Sequence, residues 1–134
     1  MIKVETIIRK DIATVWQCWT SPEHVVNWNF ASDDWHCPTA ENDLQVGGKF
    51  TYTMASKDGQ MSFDFWGIYD EIFPHQKIEI TLGDGRKMIV RFVPSDNVTT
   101  IIESFEPEKI NSEELQRNGW QAILDNFKKY TESI

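Results

Sequence analysis

Apolar and polar residues alternate from the second position of the chain. In "IKVETIIR", residues 2–9, Ile2, Val4 and Ile8 mark one face, and Lys3, Glu5 and Arg9 mark the other. A period of two predicts a strand with one buried side. Ile7 breaks the alternation. The period then lengthens. Asp11 suits a helix N-cap, and Ile12, Val15, Trp16 and Trp19 recur at helical spacing. In "SPEHVVNW" Ser21 suits a second cap, Pro22 the first turn, and Glu23 the positive end of the helix dipole. Two short helices are therefore expected after the first strand. The stretch "HVVNWNFASDDWHCP", residues 24–38, has no clean period, and the chain becomes strand-like from Ala40 through Val46, before Gly47 and Gly48 bend it.

The middle of the chain reads as hairpins. "KFTYTMAS" and the segment after "KDGQ" flank a strong turn signal at Asp58-Gly59. A two-residue loop there sets Ser56 opposite Met61, Met54 opposite Phe63 and Tyr52 opposite Phe65. Phe50, Tyr52, Met54, Met61, Phe63 and Phe65 then share one face, and Thr51, Thr53, Ser62 and Asp64 the other, with Trp66 as the exception. A slip of one residue would scramble both faces, which fixes the register. In the next hairpin, a three-residue loop at Gly83-Asp84-Gly85 pairs Ile78 with Val90 and Ile80 with Met88, and keeps the faces separate. The register of "VTTIIESF" stays open. A four-residue loop at "PSDN" turns Glu103 inward, whereas a three-residue loop turns Thr100, Ile102 and Ser104 inward.

The last element is the longest. Asn111 with Glu114 resembles a capping box, and Leu115, Trp120, Ile123, Leu124, Phe127 and Tyr130 form a broad apolar stripe. Gly119 interrupts this helix, which suggests close approach of the sheet or a ligand. The order is one strand, two short helices, a run of antiparallel strands and a long terminal helix. The sheet has one apolar face, and only the terminal helix can cover it. The expected class is α+β, a single domain over residues 1–134.

Composition adds to this picture in three ways. Aromatic residues make up 13% of the chain, including six Trp and eight Phe, so the rings either fill a core or wall a cavity. The net charge is −8 and no basic run occurs, which argues against nucleic acid and anionic membranes as partners. No stretch reaches the ~20 apolar residues needed to span a membrane. Cys18 and Cys37 are the only cysteines and the start lacks an export signal, so a cytoplasmic location with reduced thiols is expected.

Four motifs, "VWQCWTSPEHVVNW", "DLQVGGKFTYTM", "DGQMSFDFWGIYDEIFP" and "GWQAILDNFKKY", resemble in order and spacing the family named for homology to the activator of the heat-shock protein 90 ATPase. That family lies within the START-like, or SRPBCC, superfamily. The resemblance implies a helix-grip fold (START-like, Bet v-like): a curved antiparallel sheet around a long C-terminal helix, with a cavity between them. Superfamily relatives bind lipids, sterols, polyketides or plant hormones, and some are cyclases or aromatases. The chaperone activator itself carries a further N-terminal domain.

His24, Asp33, Asp34, His36 and Cys37 supply metal-ligand types without zinc spacing, so no metal is expected. His36 and Cys37, adjacent on an extended chain, point to opposite faces and do not form a nucleophile–base pair. "VGGKF" lacks phosphate-loop spacing. Glu103, if inward, is a carboxyl with a raised pKa and the one candidate for acid–base catalysis. The aromatic wall is the strongest feature. Trp28, Trp35, Phe50, Tyr52, Met54, Phe63, Phe65, Ile80, Val90, Gly119, Trp120, Ile123 and Leu124 are the expected ligand-binding residues. The reading is non-catalytic binding of a small apolar or aromatic molecule, lipid or polyketide-like, with no cofactor, by a monomer or weak dimer. A co-chaperone module docking another protein is the alternative, and a lyase or cyclase using Glu103 the third. Trp28, Phe30 and Trp35 would plug or gate one end of the cavity.

Overall fold

The computed structural model describes residues 1–134. Strand β1 (Ile2–Ile8) is followed by helices α1 (Ile12–Thr20) and α2 (Pro22–Val25). Six strands come next: β2 (Trp35–Asn42), β3 (Lys49–Ser56), β4 (Ser62–Phe73), β5 (Lys77–Leu82), β6 (Lys87–Ser95) and β7 (Val98–Phe105). Helix α3 (Glu113–Glu132) closes the chain. All seven strands form one antiparallel sheet in the order β1-β7-β6-β5-β4-β3-β2. The sheet curls into a half-barrel around α3.

Alternation explains most of this. Ile2, Val4 and Ile8 are buried while Ile7 points outward. The β3–β4 hairpin pairs Tyr52 with Phe65 and Met54 with Phe63, and β5–β6 pairs Ile78 with Val90 and Ile80 with Met88, both as the face pattern predicts. Gly59 and Gly85 occupy the two turns with φ of 78° and 92°, where a Cβ would be strained. The open register at β6–β7 resolves through a shorter turn than either candidate. Ser95 pairs with Val98, leaving Asp96 and Asn97 as the loop, with Asp96 at φ 58°. This turn has the same parity as the four-residue version, so Glu103 faces inward opposite Val90.

Two expectations are corrected. The strand expected from Ala40 to Val46 instead runs from Trp35 to Asn42, with a register shift between His36 and Thr39. A bulge inserts an unpaired residue, which is why this stretch shows no clean period. The cap of α3 is Ser112, not Asn111: its hydroxyl accepts from the Leu115 amide at 3.1 Å. No helix is long and apolar enough to cross a membrane.

The core sits where α3 meets β1, α1 and the inner sheet face. Phe105, Phe127, Ile8, Val15, Ile101 and Leu124 are fully buried there. Lys128 donates to the Ile7 carbonyl and to Glu132, and Glu132 accepts from the Arg9 amide at 2.8 Å. These contacts tie the last turns of α3 to β1 and fix the helix over the sheet.

Candidate functional site: an aromatic cavity around Glu103

Toward β3 and β4, α3 no longer touches the sheet closely, and a cavity of about 260 Å³ opens between them. Its size follows from the elements around it. Trp120 stacks on Phe105 of β7, with ring centroids 3.8 Å apart, and meets Phe65 of β4 edge-on at 5.9 Å. The indole thus spans the sheet's curvature and props the helix away from β3–β5. Fourteen of the seventeen lining residues are hydrophobic, leaving Asn29, Arg86 and Glu103, with the Tyr52 and Tyr69 hydroxyls, as the polar groups able to orient a ligand.

Ten expected residues line this space: Trp28, Phe50, Tyr52, Met54, Phe63, Phe65, Ile80, Val90, Trp120 and Ile123. Three do not. Trp35 lies on the edge strand beyond the bulge, where its ring packs against Phe63 at 5.9 Å. Leu124 is rotated about 100° from Ile123 around the helix and is fully buried in the core. Gly119 makes no close approach: a Cβ there would meet nothing within 4 Å. Gly119→Ala should therefore stabilise the protein by about 0.5–1 kcal/mol, by restricting the unfolded chain and raising helix propensity. Chemical denaturation reads this directly; a destabilised variant would show that the site is tighter than its geometry.

Six further wall residues escaped the sequence reading: Trp19, Asn29, Tyr69, Ile78, Arg86 and Met88. Ile78 and Met88 share the inward parity of Ile80 and Val90, and Tyr69 that of Phe65, so alternation could have found them. Trp19 carried a helical signal without a direction. Asn29 sits in an irregular connection and Arg86 at a loop end, where no period applies.

Glu103 is the chemical centre of the cavity. It is 5% exposed, and its carboxyl accepts no hydrogen bond from the protein. Burial alone pushes its pKa up to about 8, because the charged form loses its water without gaining a partner. The backbone neighbours paired with it are Val4 on β1 and Val90 on β6, both apolar. Arg86 is engaged elsewhere, donating to Asp84 at 2.7 Å and to the Glu106 carbonyl at 3.2 Å. On the opposite wall, burial and then the neighbouring Tyr69 hold the Tyr52 phenol well above its ordinary range. Burial also pushes Tyr69 up to about 12, while its hydroxyl donates to Asn42 Oδ1 at 2.6 Å. The Asn29 amide nitrogen Nδ2 is buried without a partner.

The end of the cavity near α1 is filled by packed rings. Trp28 is buried, stacks on Trp19 at 5.0 Å, meets Phe127 edge-on at 4.8 Å, and donates its indole N–H to the Cys18 carbonyl at 2.9 Å. Asn126 of α3 donates to the Phe30 carbonyl at 3.0 Å. The metal-ligand types of this stretch are spread apart. His24 Nδ1 pairs with the Tyr130 hydroxyl at 2.6 Å, Cys37 is buried, and Asp33 and Asp34 face water.

Comparison with known proteins agrees with this architecture. An AHSA1-like protein from Aeromonas hydrophila, solved by NMR, is 37% identical and superposes with a TM-score of 0.90, covering 98% of this chain and 93% of its own. A Cytophaga hutchinsonii protein is 52% identical with a TM-score of 0.84, covering 98% of this chain and 92% of its own. A Nitrosomonas europaea protein at 16% identity and a TM-score of 0.82 shares the fold, over 98% of this chain and 94% of its own. No curated protein matches the sequence. The family model described as activator of Hsp90 ATPase homolog 1-like protein matches residues 10–132. With the match running from Lys10, just before α1, to the last residue of α3, the chain belongs to the activator of Hsp90 ATPase homolog 1-like family.

Proposed function

We propose that the protein binds a small apolar or aromatic molecule, of lipid or polyketide-like character, between the sheet and α3, and does not transform it. The observation that carries this reading is the cavity itself: about 260 Å³ of space where a solid core could have formed. Apolar walls make its occupation favourable. A ligand that buries ~200 Å² of apolar surface gains roughly 5 kcal/mol from that term, and Asn29, Arg86 and Glu103 supply orientation.

Filling the space tests the reading. Ile123 is half-buried on α3 and points into the cavity, so Ile123→Trp places a ring where a ligand would sit. Titration with indole, followed by NMR, should perturb resonances of Phe50, Tyr52 and Trp120 in the unmodified protein and leave them unmoved in the variant. Equal perturbation in both proteins would place indole elsewhere and remove the cavity from the function.

A further inference from the structure

We propose that the cavity selects a protonated amine, an aromatic or apolar molecule whose cationic nitrogen pairs with Glu103. This rests on the cavity-binding reading above and names the ligand class.

Three observations converge. First, Glu103 is an acidic group, 95% buried by its 5% residual exposure, on the wall of the cavity and with no hydrogen-bond partner. A buried polar group without a partner is costly and normally finds one. The partner is therefore expected from outside the chain. Second, no protein cation fills that role. Arg86 is the only basic residue on the wall, and Asp84 and the Glu106 carbonyl hold its guanidinium. The nearest strand neighbours of Glu103, Val4 and Val90, are apolar. Third, eight of the seventeen wall residues are aromatic. Phe50 lies against Tyr52 at 4.9 Å, Phe65 at 5.6 Å and Tyr69 at 5.7 Å, with Trp120 above Phe65 at 5.9 Å.

Rings present negative faces and attract a desolvated cation. A neutral hydroxyl could hydrogen-bond Glu103 but would gain nothing from this field. An ammonium gains from both, and the lowered dielectric of an apolar cavity strengthens its attraction to a carboxylate. When the ligand arrives as an ammonium, the Glu103 proton leaves to solvent and the ion pair forms, so charge balances within the cavity. A ligand carboxylate forms no such ion pair and is repelled by the negative ring faces.

Tryptamine and its neutral counterpart tryptophol share one ring system and differ in the terminal group, so their affinity ratio isolates the charge. NMR titration of the full chain at pH 7 should give tryptamine at least tenfold tighter binding than tryptophol. Glu103→Gln should bring the two within about twofold. A wild-type protein that binds tryptophol as tightly as tryptamine overturns the proposal without recourse to any variant. A tenfold preference that survives Glu103→Gln also overturns it, since the selectivity would then arise elsewhere. If indole and tryptophol bind while tryptamine does not, the amine inference falls and the cavity reading stands. If none of the three perturbs the wall residues, both fall together.

Discussion

The stability of the ligand-free protein should fall as the pH rises from about 5 to about 8, and Glu103→Gln should abolish most of that fall. The sign follows from proton linkage. Glu103 titrates near its ordinary value of 4.5 when unfolded and at about 8 when folded. Between those values the folded state holds a proton that the unfolded state has lost, so each step up in pH favours unfolding. The contribution is fully present below the unfolded pKa and is gone once the pH passes the folded one. A shift from 4.5 to about 8 corresponds to roughly 5 kcal/mol, a large part of the 5–15 kcal/mol that domains typically have. Gln keeps the shape and cannot ionise. Urea denaturation at pH 5 should give similar values for both proteins. At pH 9 the variant should be the more stable by several kcal/mol. Parallel stability curves for the two proteins across pH 5–9 would mean that Glu103 is solvated or paired, and would weaken the case for the cavity's polarity.

Truncating the plug should have a comparable effect by a different route. Trp28→Ala removes a buried indole from the junction of Trp19 and Phe127, leaves the Cys18 carbonyl without its donor, and widens the cavity. Large-to-small changes of this kind cost about 3–5 kcal/mol. Trp28→Phe keeps a ring but loses the N–H bond, and should cost about 1–3 kcal/mol. Thermal denaturation separates the two. If Trp28→Ala melts with the parent, the ring is a movable lid rather than part of the core.

These two sites show different degrees of legibility. Tyr52, Met54, Phe63 and Phe65 could be placed on one wall from alternation and a single Asp-Gly turn, because a one-residue slip exposes the whole apolar set. Trp35 could not be placed. It precedes a bulge, and a bulge erases the period on which such placement depends. Asn29 and Arg86 lie in connections, where side-chain direction is set by contacts distant in sequence. Gly119 misled for a related reason. A glycine in a helix marks either close packing or a tolerated defect, and only the surrounding atoms distinguish them.

Glu103 marks the boundary most clearly. The residues of β7 alternate in either register, so local pattern could not say which set faced inward. The turn at Asp96 and Asn97 decided it, by placing one carboxyl on the cavity wall between Val4 and Val90 and without an ion pair. The family resemblance and the strand–helix order were written in the chain, because periodicity and turn chemistry act over a few residues. Whether the aromatic face closed into a solid core or stood open was not. That depended on the stacking of Trp120 on Phe105, residues fifteen apart in sequence and on different elements, and on how far the curled sheet falls away from the helix they anchor.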